Sequence, residues 1–146
     1  CRRVSIMPMA ASTDSDRAPL LAAICGSLAG VRFAYVFGSV LGEGFNAESD
    51  LDVAVDCGRR LGFEEVDDLR RRCAEATGRD VDLVDLCSAS TVLRMQIVAS
   101  AVPVAVLDER ERARFEDRVF VDYARFNEER REILSRIHVE ELVRAG

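Results

Sequence analysis

Apolar positions along the chain fall into short blocks with two different periods. VRFAYVF (31–37), LDVAV (51–55), VDLVDL (81–86) and VPVAVL (102–107) are brief runs rich in β-branched and aromatic residues, and each predicts a strand. Between them the apolar residues recur every three or four positions, the helical period. LLAAICGSL predicts a helix capped by Ser15 or Asp16, with Pro19 in its first turn and its end near Gly30. Phe63, Val66, Leu69 and Cys73 predict a helix over 63–77, closed by Gly78. Val92, Leu93, Ile97 and Val98 predict another, capped by Ser88 or Ser90. Asp108 with Glu111 resembles a capping box that opens a long last helix. Its stripe is Phe115, Val119, Tyr123, Phe126, Ile133 and Ile137. GEGFNAES (42–49) reads as a Gly-rich polar loop between the first two strands. The order α-β-loop-β-α-β-α-β-α predicts a compact sheet covered by helices. No Pro- or Ser-rich linker divides the chain, so residues 16–146 are expected to form one domain. Residues 1–15 are expected to be a disordered or start-site tail.

Composition narrows the function. The chain has 146 residues, of which 26 are acidic and 20 basic, a net charge of −6. That balance argues against broad nucleic-acid coating. No apolar run reaches the length of a membrane span, so a cytoplasmic protein with no membrane partner is expected. Five cysteines with no CxxC pair indicate neither a disulfide framework nor a zinc knuckle, and buried free thiols are expected instead. His138 is the sole histidine, which excludes a multi-His metal site. The run Arg70-Arg71-Arg72 reads as a solvated helix face with Glu65, Asp67 and Asp68 as partners.

The chemistry concentrates in VFGSVLGEGFNAESDLDVAVD, residues 36–56. Asp50 and Asp52 open a strand with one residue between them, so both side chains take the same face while Leu51, Val53 and Val55 take the other. Two adjacent carboxylates repel unless a cation lies between them. Oxygen-only ligands of this kind suit Mg²⁺, which takes further ligands from substrate phosphates. Asp82, between Val81 and Leu83 on an otherwise apolar strand, is the candidate third acid; Asp80 shares its face and is the fallback. Asp85 breaks the alternation and reads as a strand-end residue. Gly38 lets the backbone approach a phosphate closely, and Ser39 offers a hydroxyl and an N–H to phosphate oxygens.

Gly38-Ser39, ten residues, then Asp50-x-Asp52 resembles the GSx10DxD signature of the DNA polymerase β-type nucleotidyltransferase superfamily. The stretch from Val102 to Arg130 resembles the C-terminal part of its minimal nucleotidyltransferase antitoxins, with Arg114, Phe115, Tyr123, Phe126 and Arg130 as the matching residues. The resemblance implies an α+β fold of the polymerase β-like kind, a short mixed sheet flanked by helices with a long C-terminal helix. It also implies that Asp50, Asp52 and Asp82 bind two Mg²⁺ ions and act in catalysis, with Gly38 and Ser39 seating ATP. The implied reaction is transfer of AMP to a hydroxyl, a tyrosine's, on a partner HEPN ribonuclease toxin, with no direct nucleic-acid contact. Two other readings of the same residues are a non-catalytic antitoxin that neutralises its toxin by binding, and a small-molecule nucleotidyltransferase of the aminoglycoside-modifying type. One departure stands out: no Lys or Arg lies between Ser39 and Asp50, where Glu43 and Glu48 sit instead. Arg94 or Arg79 is the expected substitute contact for the triphosphate.

Overall fold

The computed structural model describes residues 11–38 and 50–145. Along them run α1 (Ala11–Cys25), β1 (Phe33–Phe37), β2 (Leu51–Asp56), α2 (Phe63–Thr77), β3 (Val81–Asp85), α3 (Thr91–Ser100), β4 (Val102–Val106) and α4 (Glu109–Ala145). The strands form one mixed sheet in the order β3-β2-β1-β4. β1 is antiparallel to β2 and β4, whereas β2 and β3 are parallel. β1, β3 and β4 lie within their predicted runs, and β2 extends one residue past its own, to Asp56.

Alternation along the strands splits the core in two. Leu51, Val53 and Val55 of β2 join Ala34, Val36, Val81 and Leu83 under α1 and α2, where Leu20, Ile24, Leu69 and Cys73 meet them. Ala54 faces the other way, with Phe33, Tyr35, Leu86, Ile97, Phe115 and Val119, under α3 and α4. Burying each Val or Leu contributes about 1.5–3 kcal/mol. A one-residue slip of β2 would reverse all of these at once. The apolar register of β2 therefore dictates which face Asp52 takes.

Helix ends follow local chemistry. The Ser90 side chain accepts from the Leu93 N–H at 3.1 Å, so Ser90 is the cap of α3. Ser88 instead donates its hydroxyl to Asp85. Asp108 accepts from the Glu111 N–H at 3.1 Å and starts α4. α2 opens at Gly62, whose N–H donates to Glu65 Oε1 at 3.2 Å, and closes at Gly78 with φ 69°. The Arg70–72 run is tied to Asp67 and Asp68 as its spacing predicts, whereas Glu65, the third expected partner, pairs with Arg59 instead.

Two expectations are corrected. α1 is already helical at Ala11 and passes through Ser15, Asp16 and Pro19, and it stops at Cys25 rather than near Gly30. Cap and first-turn preferences amount to about 1 kcal/mol, and the burial of Leu20 and Ile24 outweighs them. The early stop is set by the Gly26–Gly30 turn, in which the Ala29 N–H donates to Ser27 Oγ and Gly30 takes φ 76°. Of the four described cysteines only Cys73 is buried; Cys25 is exposed and Cys57 and Cys87 are intermediate. Cys25 ends α1, and Cys57 and Cys87 lie just past the ends of β2 and β3.

Candidate active site

Topology brings the predicted acids to one end of the sheet. β2 and β3 run parallel, so their N-terminal ends lie side by side, with Asp52 directly opposite Asp82 in the register. β1 runs the other way, and its C-terminal end delivers Phe37 opposite Asp52. Gly38 follows with φ 83°. A Cβ built on it would lie 2.1 Å from Asp52 Oδ2. The glycine thus has a role that spacing alone does not reveal, because its missing side chain makes room for the Asp52 carboxylate. Asp50 sits exposed just ahead of β2, and the Leu51 N–H bonds the Asp80 carbonyl at 2.9 Å, continuing the ladder to the strand tips.

The electrostatics single out the same three acids. The Asp52 carboxyl is raised above the ordinary carboxylate range, first by burial, then by the negative charges of Asp82 and Asp50. In the strand register it is Asp82, and not the fallback Asp80, that stands opposite Asp52. Asp82 is exposed on β3, an edge strand, and so stands open to an incoming group. A divalent cation would relieve the repulsion that raises Asp52. Among the described residues no three acidic, His or Cys side chains form a ready-made metal cage. Mg²⁺ is ordinarily held by one or two carboxylates and completes its shell with water and substrate phosphates.

Other candidates fall elsewhere. Ser39, Glu43 and Glu48 lie outside the described residues. Arg94 is not at this end. Its Nε donates to the Leu86 carbonyl at 2.7 Å and its guanidinium also reaches the Cys87 carbonyl, closing the turn after β3. Arg79, just before β3, stands at the acid end. Asp85 ends β3 as predicted, buried and accepting from the Leu61 and Cys87 N–H groups.

A cleft of ≈ 330 Å³ opens at the opposite end of the sheet, lined among others by Arg32, Asp56, Arg94, Phe115 and Arg118. Three of its charged groups, Arg32, Asp56 and Glu111, are committed to each other. Arg32 donates to buried Asp56 at 2.7 Å and pairs with Glu111 at 3.3 Å. Asp56 also accepts from the Gly58 N–H and the Cys87 thiol. This ion pair holds the sheet to the start of α4 and is structural. Sequence reading missed it, since Arg32 and Asp56 are 24 residues apart. Its only sequence signal is a second acid, Asp56, in phase with Asp52.

The polymerase beta nucleotidyltransferase family model matches residues 21–110, and the chain belongs to that family. The protein adenylyltransferase MntA of Shewanella oneidensis is 41% identical over 68 residues, 47% of this chain and 49% of that protein. The matched stretch thus spans about half the length of that curated relative. Among solved structures, a chain of a toxin–antitoxin complex with AMP-PNP superposes with a TM-score of 0.71 at 28% identity, covering 83% of this chain and 97% of that one. A chain from the complex of tri-AMPylated S. oneidensis HEPN toxin with MNT antitoxin gives 0.68 at 25% identity, covering 84% and 95%. No helix among the described residues is long and apolar enough to cross a membrane.

Proposed function

We propose that this chain is a Mg²⁺-dependent protein adenylyltransferase that acts as an antitoxin, transferring AMP from ATP to a tyrosine hydroxyl of a HEPN ribonuclease toxin. The observation that carries the reading is the Asp52–Asp82 pairing across β2 and β3 beside Gly38. The similarity to the AMP-PNP complex and to the complex of the AMPylated toxin supports the nucleotide and the partner.

In this reading Asp50, Asp52 and Asp82 are the catalytic carboxylates and hold two Mg²⁺ ions. When bound, the ions neutralise the triphosphate and stabilise the attacking and leaving oxygens of an in-line displacement. Gly38 and Ser39 seat the triphosphate, Gly38 by leaving its backbone uncovered. Exposed Asp82 orients the incoming hydroxyl. The hydroxyl oxygen bonds to the α-phosphorus, the bond from that phosphorus to the β-phosphate bridging oxygen breaks, and pyrophosphate leaves. The hydroxyl proton departs through the Asp82 carboxylate to solvent. An open edge strand suits a protein acceptor, which is larger than any pocket at this end. In this reading the chain works in the cytoplasm, where ATP is supplied.

The test is the intact mass of a cognate HEPN toxin after incubation with this chain, Mg²⁺ and each nucleoside triphosphate in turn. AMP should be added to the toxin, and Asp50→Asn should abolish the addition while leaving thermal unfolding unchanged. A stable complex with no mass change, or full activity in Asp50→Asn, would overturn the assignment and favour neutralisation by binding.

A further inference from the structure

The outer part of α4 carries an apolar seam that no other described residue covers. All residues from Glu128 to Ala145 are exposed, so ~27 Å of helix stands clear of the body. A lone helix of that length is marginal in water and needs a partner for its apolar side. Ile133, Leu134 and Ile137 are 56%, 55% and 47% exposed.

The seam has a definite pattern. Starting at Val119, buried under the sheet, positions 119, 123, 126, 130, 133, 137 and 140 step by four and three in strict alternation. This is the seven-residue repeat of a two-stranded coiled coil. Its occupants are Val, Tyr, Phe, Arg, Ile, Ile and Glu.

We propose that the seam pairs antiparallel with the same seam of a second copy of this chain, about a twofold axis between Arg131 and Glu132. In that register Phe126 faces Ile137 of the second copy, Arg130 faces Ile133, and Tyr123 faces Glu140. The flanking positions decide the direction. Glu129 of each copy comes beside Arg136 of the other, so the symmetry makes two opposite-charge contacts. A parallel pair would instead set Arg130 against Arg130 and Glu140 against Glu140, like charges at the seam. Against Ile133 the Arg130 methylenes cover apolar surface while the guanidinium reaches water. The pairing requires only this chain and is independent of the antitoxin reading.

Sedimentation equilibrium of the full chain across a dilution series tests it. The wild type should be a dimer. The double variant Ile133→Asp, Ile137→Asp should be a monomer with the thermal unfolding of the body unchanged, since neither residue touches the core. Glu129→Arg and Arg136→Glu should each weaken the dimer about tenfold, and the two together should restore it. A wild-type monomer at every concentration would overturn the proposal, as would a dimer indifferent to the isoleucine substitutions. A monomeric wild type whose toxin complex is lost in the double isoleucine variant would likewise overturn it and assign the seam to the toxin.

Discussion

Gly38 shows how much one absent side chain can decide. Its φ of 83° is strained for any other residue, and its Cβ would overlap the Asp52 carboxylate. Gly38→Ala should cost about 1–2 kcal/mol for the left-handed backbone. The overlap is relieved only by swinging Asp52 away, and a 1 Å displacement at a reacting centre costs about 10²-fold. AMP transfer should therefore fall about 10²-fold in a variant that still melts cooperatively; calorimetry beside the mass assay checks both. A well-folded Gly38→Ala with full activity would show that Asp52 need not stay where the glycine leaves it. The spacing made this glycine a candidate, but the contact that requires it crosses from β1 to β2 and cannot be read along the chain.

Among the elements, α2 and α4 are held by different chemistry. At the start of α2, Arg59 and the Gly62 N–H hold the Glu65 carboxyl down, to about 2, with the Arg59 bond the larger cause. A lowered folded-state value means the contribution is complete above the unfolded value of 4.5 and lost as pH falls toward 2. The melting temperature of the wild type should therefore exceed that of Glu65→Gln at pH 6. The gap should close between pH 5 and 2, and it should narrow with salt because the pair is exposed. A constant gap across that range would remove the ion pair from the account. α4 is anchored otherwise. The Tyr35 hydroxyl donates to Glu116 at 2.8 Å, Arg112 braces the same carboxylate, and the Phe115 ring packs at a tilt against Phe33. Burial first, then the Glu116 carboxylate, raises the Tyr35 hydroxyl and keeps it a donor. The helix is 37 residues long, yet only Phe115 and Val119 are buried along it.

Over the whole molecule the sheet separates two jobs. One end carries Gly38, Asp50, Asp52 and Asp82, and the other carries the Arg32–Asp56 pair, four residues further along the same face of β2. Asp56→Ala should cost about 2–3 kcal/mol, at the low end for a broken buried pair because Arg32 is partly exposed. That corresponds to roughly 5–10 °C in melting temperature. AMP transfer below the transition should be unchanged, and thermal melts paired with the mass assay read both. Lost transfer in a folded Asp56→Ala would mean that the two ends are coupled.

Periodicity alone determined the element order, the strands and the face that Asp52 takes, because the side-chain alternation of a strand and the burial energy of Leu51, Val53 and Val55 are local properties of the sequence. The motif Gly38-Ser39 with Asp50 and Asp52 was legible for the same reason, since its members lie within 15 residues. Tertiary structure alone decided the rest. The parallel pairing of β2 with β3 set Asp82 directly opposite Asp52, and strand order placed Asp82 on an open edge. Arg94 was committed to the far end, and Arg32 met Asp56. Each of these depends on which strand ends become neighbours, a choice made by the packing of both sheet faces together and encoded in no single segment.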